Sequence, residues 1–391
     1  MNIFNSLGSN YDLKFVLKSI FSIGNRSAKK RLINFLEKKY NGKTILLYKN
    51  REAIALSLKI LDLPKNSFVA INSFTCFAVY KAVDKAGYFA ETLDLDKSGN
   101  LTELNFSHET LQEAIKSNPK IKAVIVQNTL GYPCDIEKIE KLCKTNNLFL
   151  IEDLAHSIST AYKDGREAGT VGDFVCLSFS QDKIIDAVSG GSLIIRNKKY
   201  QSSFPQGLAL RKINAADKLK DRCYPLFTYK IRKFYLFGFG KPIHFLLKKF
   251  NLLSKPMNSK FYENFDLPSW YCNLALYCFK NLDQNINHRR KIANVYDRIL
   301  NPSIKINHVS KNISISSNLR YPILVKNRKS LIKNLKTQGI YVSDIWYDSV
   351  DQDLKNSKAL ADKMLNLPTH INISEEEAQT LAERINLWLK I

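Results

Sequence analysis

The feature that most limits how this chain can fold is an alternation. From residue 44 to residue 195, short apolar runs are separated by segments with helical spacing. The runs fall at 44–48, 68–71, 88–93, 123–127, 148–151 and 192–195, with helical segments at 51–61, 78–86, 109–117 and 136–145. Runs that stay apolar at every position suit strands buried on both faces. Repeated strand–helix units need crossovers, so the reading is an α/β fold: a mainly parallel sheet with helices on both faces. The 391 residues also leave room for a smaller α+β companion domain. The expected division is an N-terminal helical segment (1–43), a large α/β domain (44–200), a basic aromatic insertion (201–266), and a long helix with the small domain (267–391).

Ligands of such sheets gather at the carboxyl ends of the strands, which directs attention to residues 151–191. Glu152-Asp153 close the run at 148–151, and His156 follows three residues on. Ser178 and Lys183 lie past the next strand, and Gly190-Gly191 precede another. Pyridoxal phosphate (PLP) needs a lysine amine for a Schiff base, a carboxylate against its ring nitrogen, and hydroxyl and backbone donors for its phosphate. Lys183, Asp153 and Ser178 are the residue types for those tasks.

Order and spacing carry the reading further. Glu152-Asp153-Leu154-Ala155-His156, Gly169-Thr170-Val171-Gly172-Asp173, Ser178-Phe179-Ser180-Gln181-Asp182-Lys183 and Gly190-Gly191 resemble the core motif of the DegT-type sugar aminotransferases, PLP enzymes of fold type I. The resemblance implies Lys183 as the Schiff-base lysine, Asp153 on the pyridine nitrogen, His156 beside the ring and Ser178 on the phosphate. It also implies that the turn Lys49-Asn50-Arg51-Glu52 offers backbone donors to the phosphate, with Arg51 and Glu52 at the site. Cys76 stands where the family has a stacking aromatic, so stacking passes to Phe74 or Phe77 or is replaced by a thiol contact. Val188-Ser189 replaces the family's Gly-Glu. The implied function is conversion of a keto sugar, nucleotide-linked, to an amino sugar for a surface polysaccharide, with glutamate as donor and a homodimer as the working form. The alternatives are a PLP-dependent sugar dehydratase, whose relatives carry histidine in place of the lysine, and a membrane-peripheral, catalytically altered protein of the same fold.

The charge balance is unusual. With 59 Lys+Arg against 36 Asp+Glu the net charge is +23, which attracts phosphates, nucleic acid or anionic membranes without choosing among them. Nucleic acid is disfavoured because no binding module is recognisable. Seven cysteines without C-x-x-C spacing predict reduced thiols and no metal centre. The first residues lack a signal peptide's pattern and no long apolar span occurs, so the expected location is cytoplasmic. One segment qualifies this: residues 223–260 hold eight Lys/Arg, nine aromatics and no acid, which suits contact with the inner face of a membrane. The Arg26–Arg31 run reads as a solvated helix face. Asp135 is expected to cap the helix at 136–145, and Tyr347 and His370 are read as structural.

Overall fold

The computed structural model describes residues 2–95, 101–202, 210–235, 237–255, 264–342 and 348–390. Asp96, Lys260, Trp346 and Tyr347, and most of the strand expected at 342–346, lie outside them. Seven strands form the central sheet: β1 (Lys43–Leu47), β2 (Phe68–Asn72), β3 (Phe89–Leu93), β4 (Ile121–Gln127), β5 (Phe149–Asp153), β6 (Phe174–Ser178) and β7 (Gly191–Ile195), in the spatial order β1-β7-β6-β5-β4-β2-β3. β2 through β6 pair in parallel, and only β7 runs against its neighbours β6 and β1. Every residue of β6 and β7 is buried, as unbroken apolar runs require of strands covered on both sides.

The N-terminal helices are α1 (Leu13–Phe21) and α2 (Arg26–Tyr40). The crossover helices are α3 (Asn50–Leu61), α4 (Phe77–Ala86), α5 (His108–Ser117) and α6 (Ile136–Thr145). One apolar cluster joins α3 and α4 to a sheet face through Leu58, Val83, Ile71 and Leu193. The opposite face packs Val124, Val126 and Leu177 with Leu32 and Leu36 of α2 and with Ile139 of α6. The basic run at the start of α2 is mostly exposed, except that Lys29 pairs with Asp266. Asp135 precedes α6 but makes no side-chain cap. It pairs with Lys138 at 3.2 Å and lies 3.7 Å from His108, so the expected cap gives way to surface ion pairs.

The expected insertion forms α7 (Ala215–Tyr235) and α8 (Gly240–Lys249). It is not a detachable appendage, because Tyr224 and Ile231 belong to the large core and Asp221 and Thr228 are buried. The single long helix expected from residue 268 is two helices, α9 (Ser269–Lys280) and α10 (Leu282–Ile299). They break at Asn281, whose backbone (φ −105°, ψ 15°) leaves helical geometry. The remaining C-terminal part has its own core. There Arg320–Leu324 pairs antiparallel with Met364–Pro368, and α11 (Arg328–Thr337) and α12 (Glu375–Leu389) cover it. A capping box between Ser374 and Glu377 starts α12. The N-terminus is stitched into this part: Ile3–Phe4 pairs in parallel with Ile340–Tyr341.

Candidate active site

The carboxyl ends of β4, β5 and β6 deliver Gln127, Asp153 and Ser178 to one place, and the link from β6 to β7 adds Lys183. Adjacent strand residues point to opposite faces, and β5 uses this to separate its two acids. Glu152, fully buried, accepts from Tyr162 Oη and from the backbone N–H groups of Gly169, Val171 and Gly172 at 2.6–2.9 Å. It shapes the G-x-x-G-D turn, a structural role. The turn needs its first glycine: Gly169 has φ +95°, and a Cβ there would lie 2.6 Å from the Tyr40 ring.

Asp153 points the other way, into the site. Its Oδ1 accepts from Asn50 Nδ2 at 2.9 Å and from the Ala155 N–H at 3.0 Å, and both bonds leave Oδ2 for another partner. Burial pushes its carboxyl above the usual range, while those bonds and the charge of Lys183 oppose the rise. His156, three residues on, accepts the Leu130 N–H on Nδ1 at 3.2 Å. Burial, then the charges of Lys183 and Arg320, hold its pKa well below the ordinary value, so the ring is neutral with its proton on Nε2.

Lys183 is half-buried by accessible surface, yet its amine is deep enough for desolvation to lower its pKa. Cys76, Asp153 and Asp182 oppose that effect, and Arg320 adds to it. Lys183, Asp153, His156 and Cys76 are therefore within electrostatic reach of one another's site. Cys76 precedes α4 and acts electrostatically on Lys183. Phe74 is fully buried in the C-terminal core, and Phe77 faces outward, stacked on Tyr80 at 5.7 Å.

The loop bearing Lys183 is tied down by a carboxylate that the motif did not single out. Asp186 accepts the N–H groups of Asp182 (2.8 Å) and Val188 (3.0 Å), Tyr11 Oη at 2.7 Å and Asn10 Nδ2 at 3.1 Å. Asn10 also donates to the Lys183 carbonyl at 3.2 Å. Burial raises the Asp186 pKa to about 6 against the pull of those donors. No local signal could have shown this, since Tyr11 and Asp186 are 175 positions apart.

The turn from β1 into α3 completes the site. Asn50 opens α3, Arg51 is half-buried and Glu52 is buried. No side chain caps α3, and in its first turn the Glu52 N–H donates to the Lys49 carbonyl at 3.2 Å. Gly191 lets β7 approach closely: a Cβ there would lie 2.7 Å from the Asn50 nitrogen. Buried Lys49 donates to Ser189 Oγ at 2.9 Å and lies 4.6 Å above the Tyr48 ring. Asp221 of α7 accepts Tyr48 Oη and Tyr271 Oη at 2.8 Å each, together with Ser254 Oγ, which in turn accepts from Gln181. The segment 201–266 thus reaches the site through Asp221. His370 is structural, with Nε2 2.7 Å from the Phe4 carbonyl.

The chain is similar to known sugar aminotransferases. GDP-perosamine synthase of Escherichia coli O157:H7 is 23% identical over 85% of this chain and 82% of its own. The UDP-4-amino-4,6-dideoxy-N-acetyl-beta-L-altrosamine transaminase of Campylobacter jejuni is 26% identical over 71% of this chain and 65% of its own. The structure of Helicobacter pylori PseC, an aminotransferase involved in the biosynthesis of pseudoaminic acid, superposes with a TM-score of 0.74 over 98% of each chain at 17% identity. The fold is that of the fold-type I PLP enzymes. The profile of the DegT/DnrJ/EryC1/StrS aminotransferase family matches residues 31–222 and 227–386, and the chain belongs to that family.

Proposed function

We propose that this chain transfers an amino group from glutamate to the keto carbon of a nucleotide-linked sugar, in the assembly of a surface polysaccharide. Aminotransferases of this family are PLP-dependent. The residues fit that cofactor: Asp153 keeps Oδ2 for a ring nitrogen, and the uncapped start of α3 lies close to β7, which pairs with Ser178. What supports the reading is that Asn50, which opens α3, holds the Asp153 carboxylate at 2.9 Å, with Lys183 acting electrostatically on that carboxylate.

Bound PLP supplies an aldehyde that captures amines and a ring that withdraws electrons from the carbon bearing them. Lys183 would hold the aldehyde carbon. Its depressed pKa leaves more of the amine neutral and nucleophilic. Freed for the reaction, the same nitrogen would take the proton from the substrate carbon and later return one, acting as base and then as acid. Asp153 would keep a proton on the ring nitrogen. His156, Cys76, Arg51 and Glu52 would line the ring and phosphate ends, and the Ser178 hydroxyl would donate to the phosphate. The dehydratase reading is disfavoured by Lys183, because those relatives carry histidine there.

We further propose that the working form is a cytoplasmic homodimer that meets the inner face of a membrane through residues 223–260. Among the described residues no helix is long and apolar enough to cross a membrane.

The test is spectroscopic and catalytic together. Lys183→Ala should lose both the visible band of bound PLP and turnover, and a variant keeping both removes Lys183 from the mechanism. In the wild type, glutamate should bleach that band and the right keto-sugar nucleotide should restore it. If glutamate never bleaches it, the aminotransferase reading is wrong.

A further inference from the structure

Helix α8 is apolar on two sides. Ile243 and Leu247, one turn apart, face inward and pack with Tyr235 on the large core. Phe245 and Leu246 face outward, and Phe237, Phe239 and Phe250 flank them; the four phenylalanines are 65–71% exposed. A helix with a second apolar face has a second partner.

Helix α1 carries a similar stripe. Leu13, Leu17 and Phe21, four residues apart, are all exposed, with Phe21 at 74%, and Lys14 and Lys18 stand beside them, also exposed. Helix α1 packs on α7, and Leu13 shares a cleft with Tyr229, Arg232 and Lys233 of α7. α7 also packs against α8, so α8 and the Leu13 end of the α1 stripe flank the same basic helix end, while Phe21 lies toward Arg222, which donates to the Ile20 and Ser22 carbonyls. Lys233, Lys241, Lys248 and Lys249 are exposed among the rings, and the sequence holds no acid between 223 and 260.

That charge selects the occupant. A second copy seated face to face would oppose like charges across the contact. Nucleic acid would match the lysines but offers no apolar phase for Leu17 or Leu246. An anionic bilayer offers both: acyl chains for the rings and aliphatic side chains, and headgroups for the lysines.

We propose that α1, the basic end of α7, and α8 form one docking surface for an anionic lipid bilayer. It rests on the reading that residues 223–260 meet a membrane, and it adds α1 and the choice of lipid. Docking would hold the enzyme at the surface without a spanning segment.

The test uses the intact PLP-loaded protein in flotation with vesicles of phosphatidylcholine alone or mixed with phosphatidylglycerol. Wild type should float with the anionic vesicles only and be released by salt. The double variant Lys248→Gln/Lys249→Gln should bind about thirtyfold more weakly, from about 1 kcal/mol for each lysine at the surface. Phe245→Ser/Leu246→Ser and Leu17→Ser/Phe21→Ser should each lose about tenfold or more. These side chains are exposed, so melting should be unchanged, and the lysine pair gives a second measure that removes no apolar packing. Wild type that floats with neither vesicle overturns both the membrane reading and this surface. Loss in the α8 pair with none in the α1 pair overturns the composite surface and leaves the 223–260 reading standing. Equal binding to both vesicles overturns the anionic lipid. Variants that break an oligomer, or a wild type that shifts nucleic acid at moderate salt, in either case without vesicle binding, overturn the bilayer in favour of those occupants.

Discussion

At the scale of single residues, burial raises both Asp153 and Asp186. Asp153 is raised by burial but faces Lys183, and in the proposed mechanism it faces a protonated ring. Asp153→Asn should therefore keep the fold and lower turnover on the order of a hundredfold or more, as removal of a fixed transition-state charge does; steady-state rates with glutamate would check it. Burial carries Asp186 to about 6, above an ordinary carboxyl's 3.8, even with the charge of Arg289 within reach. Between those values the folded protein binds more protons than the unfolded chain, so this group's contribution falls as pH rises and is least favourable above pH 6. Asp186→Asn cannot titrate. Its stability deficit relative to wild type should be larger at pH 4 than at pH 8, by about 2 kcal/mol. Urea midpoints at the two pH values measure this, and a deficit independent of pH would contradict the buried-acid account.

Among elements, the segment before α1 matters more than its short length suggests. Residues 1–30 lie outside the matched family region, yet Ile3–Phe4 pairs with the C-terminal part and Asn10 and Tyr11 hold the loop of Lys183. Arg232 of α7 donates to the Gly8 and Tyr11 carbonyls, so the same arm touches the lysine loop, the C-terminal part and the basic helix. Tyr11→Phe removes one donor from the buried Asp186 carboxyl. The expected cost is about 2 kcal/mol, the range for hydrogen bonds to charged groups, read from denaturant unfolding. The same substitution should loosen the Lys183 loop, visible as faster amide exchange at Lys183 and Ile184. This arm was not legible beforehand, because its partners lie far away in the chain.

For the whole molecule, three apolar clusters hold the sheet faces and the C-terminal part together. The large cluster includes residues of α1, α2, α7 and α9 as well as the strands, so the expected boundaries at 43 and 201 do not mark separate cores. Deleting residues 223–260 would expose that core, which is why point substitutions are the sounder probe of membrane contact. The homodimer proposal predicts a sedimentation mass of twice 44.8 kDa at micromolar concentration. A single 44.8 kDa species under active conditions would rule it out.

What the sequence determined by itself is local or periodic. Apolar runs fixed the strands, helical spacing fixed the crossovers, and the spacing from Asp153 to Lys183 marked the candidate site, because each rests on neighbours within a few dozen positions. Only the tertiary structure decided that Asp186 rather than a motif residue anchors the lysine loop, that Asp221 ties the basic segment to the site, and that Phe74 is buried in the C-terminal core while Phe77 is exposed. Those outcomes depend on which distant side chains share a buried space, and desolvation there is set by the packing of the whole chain, not by any window of it.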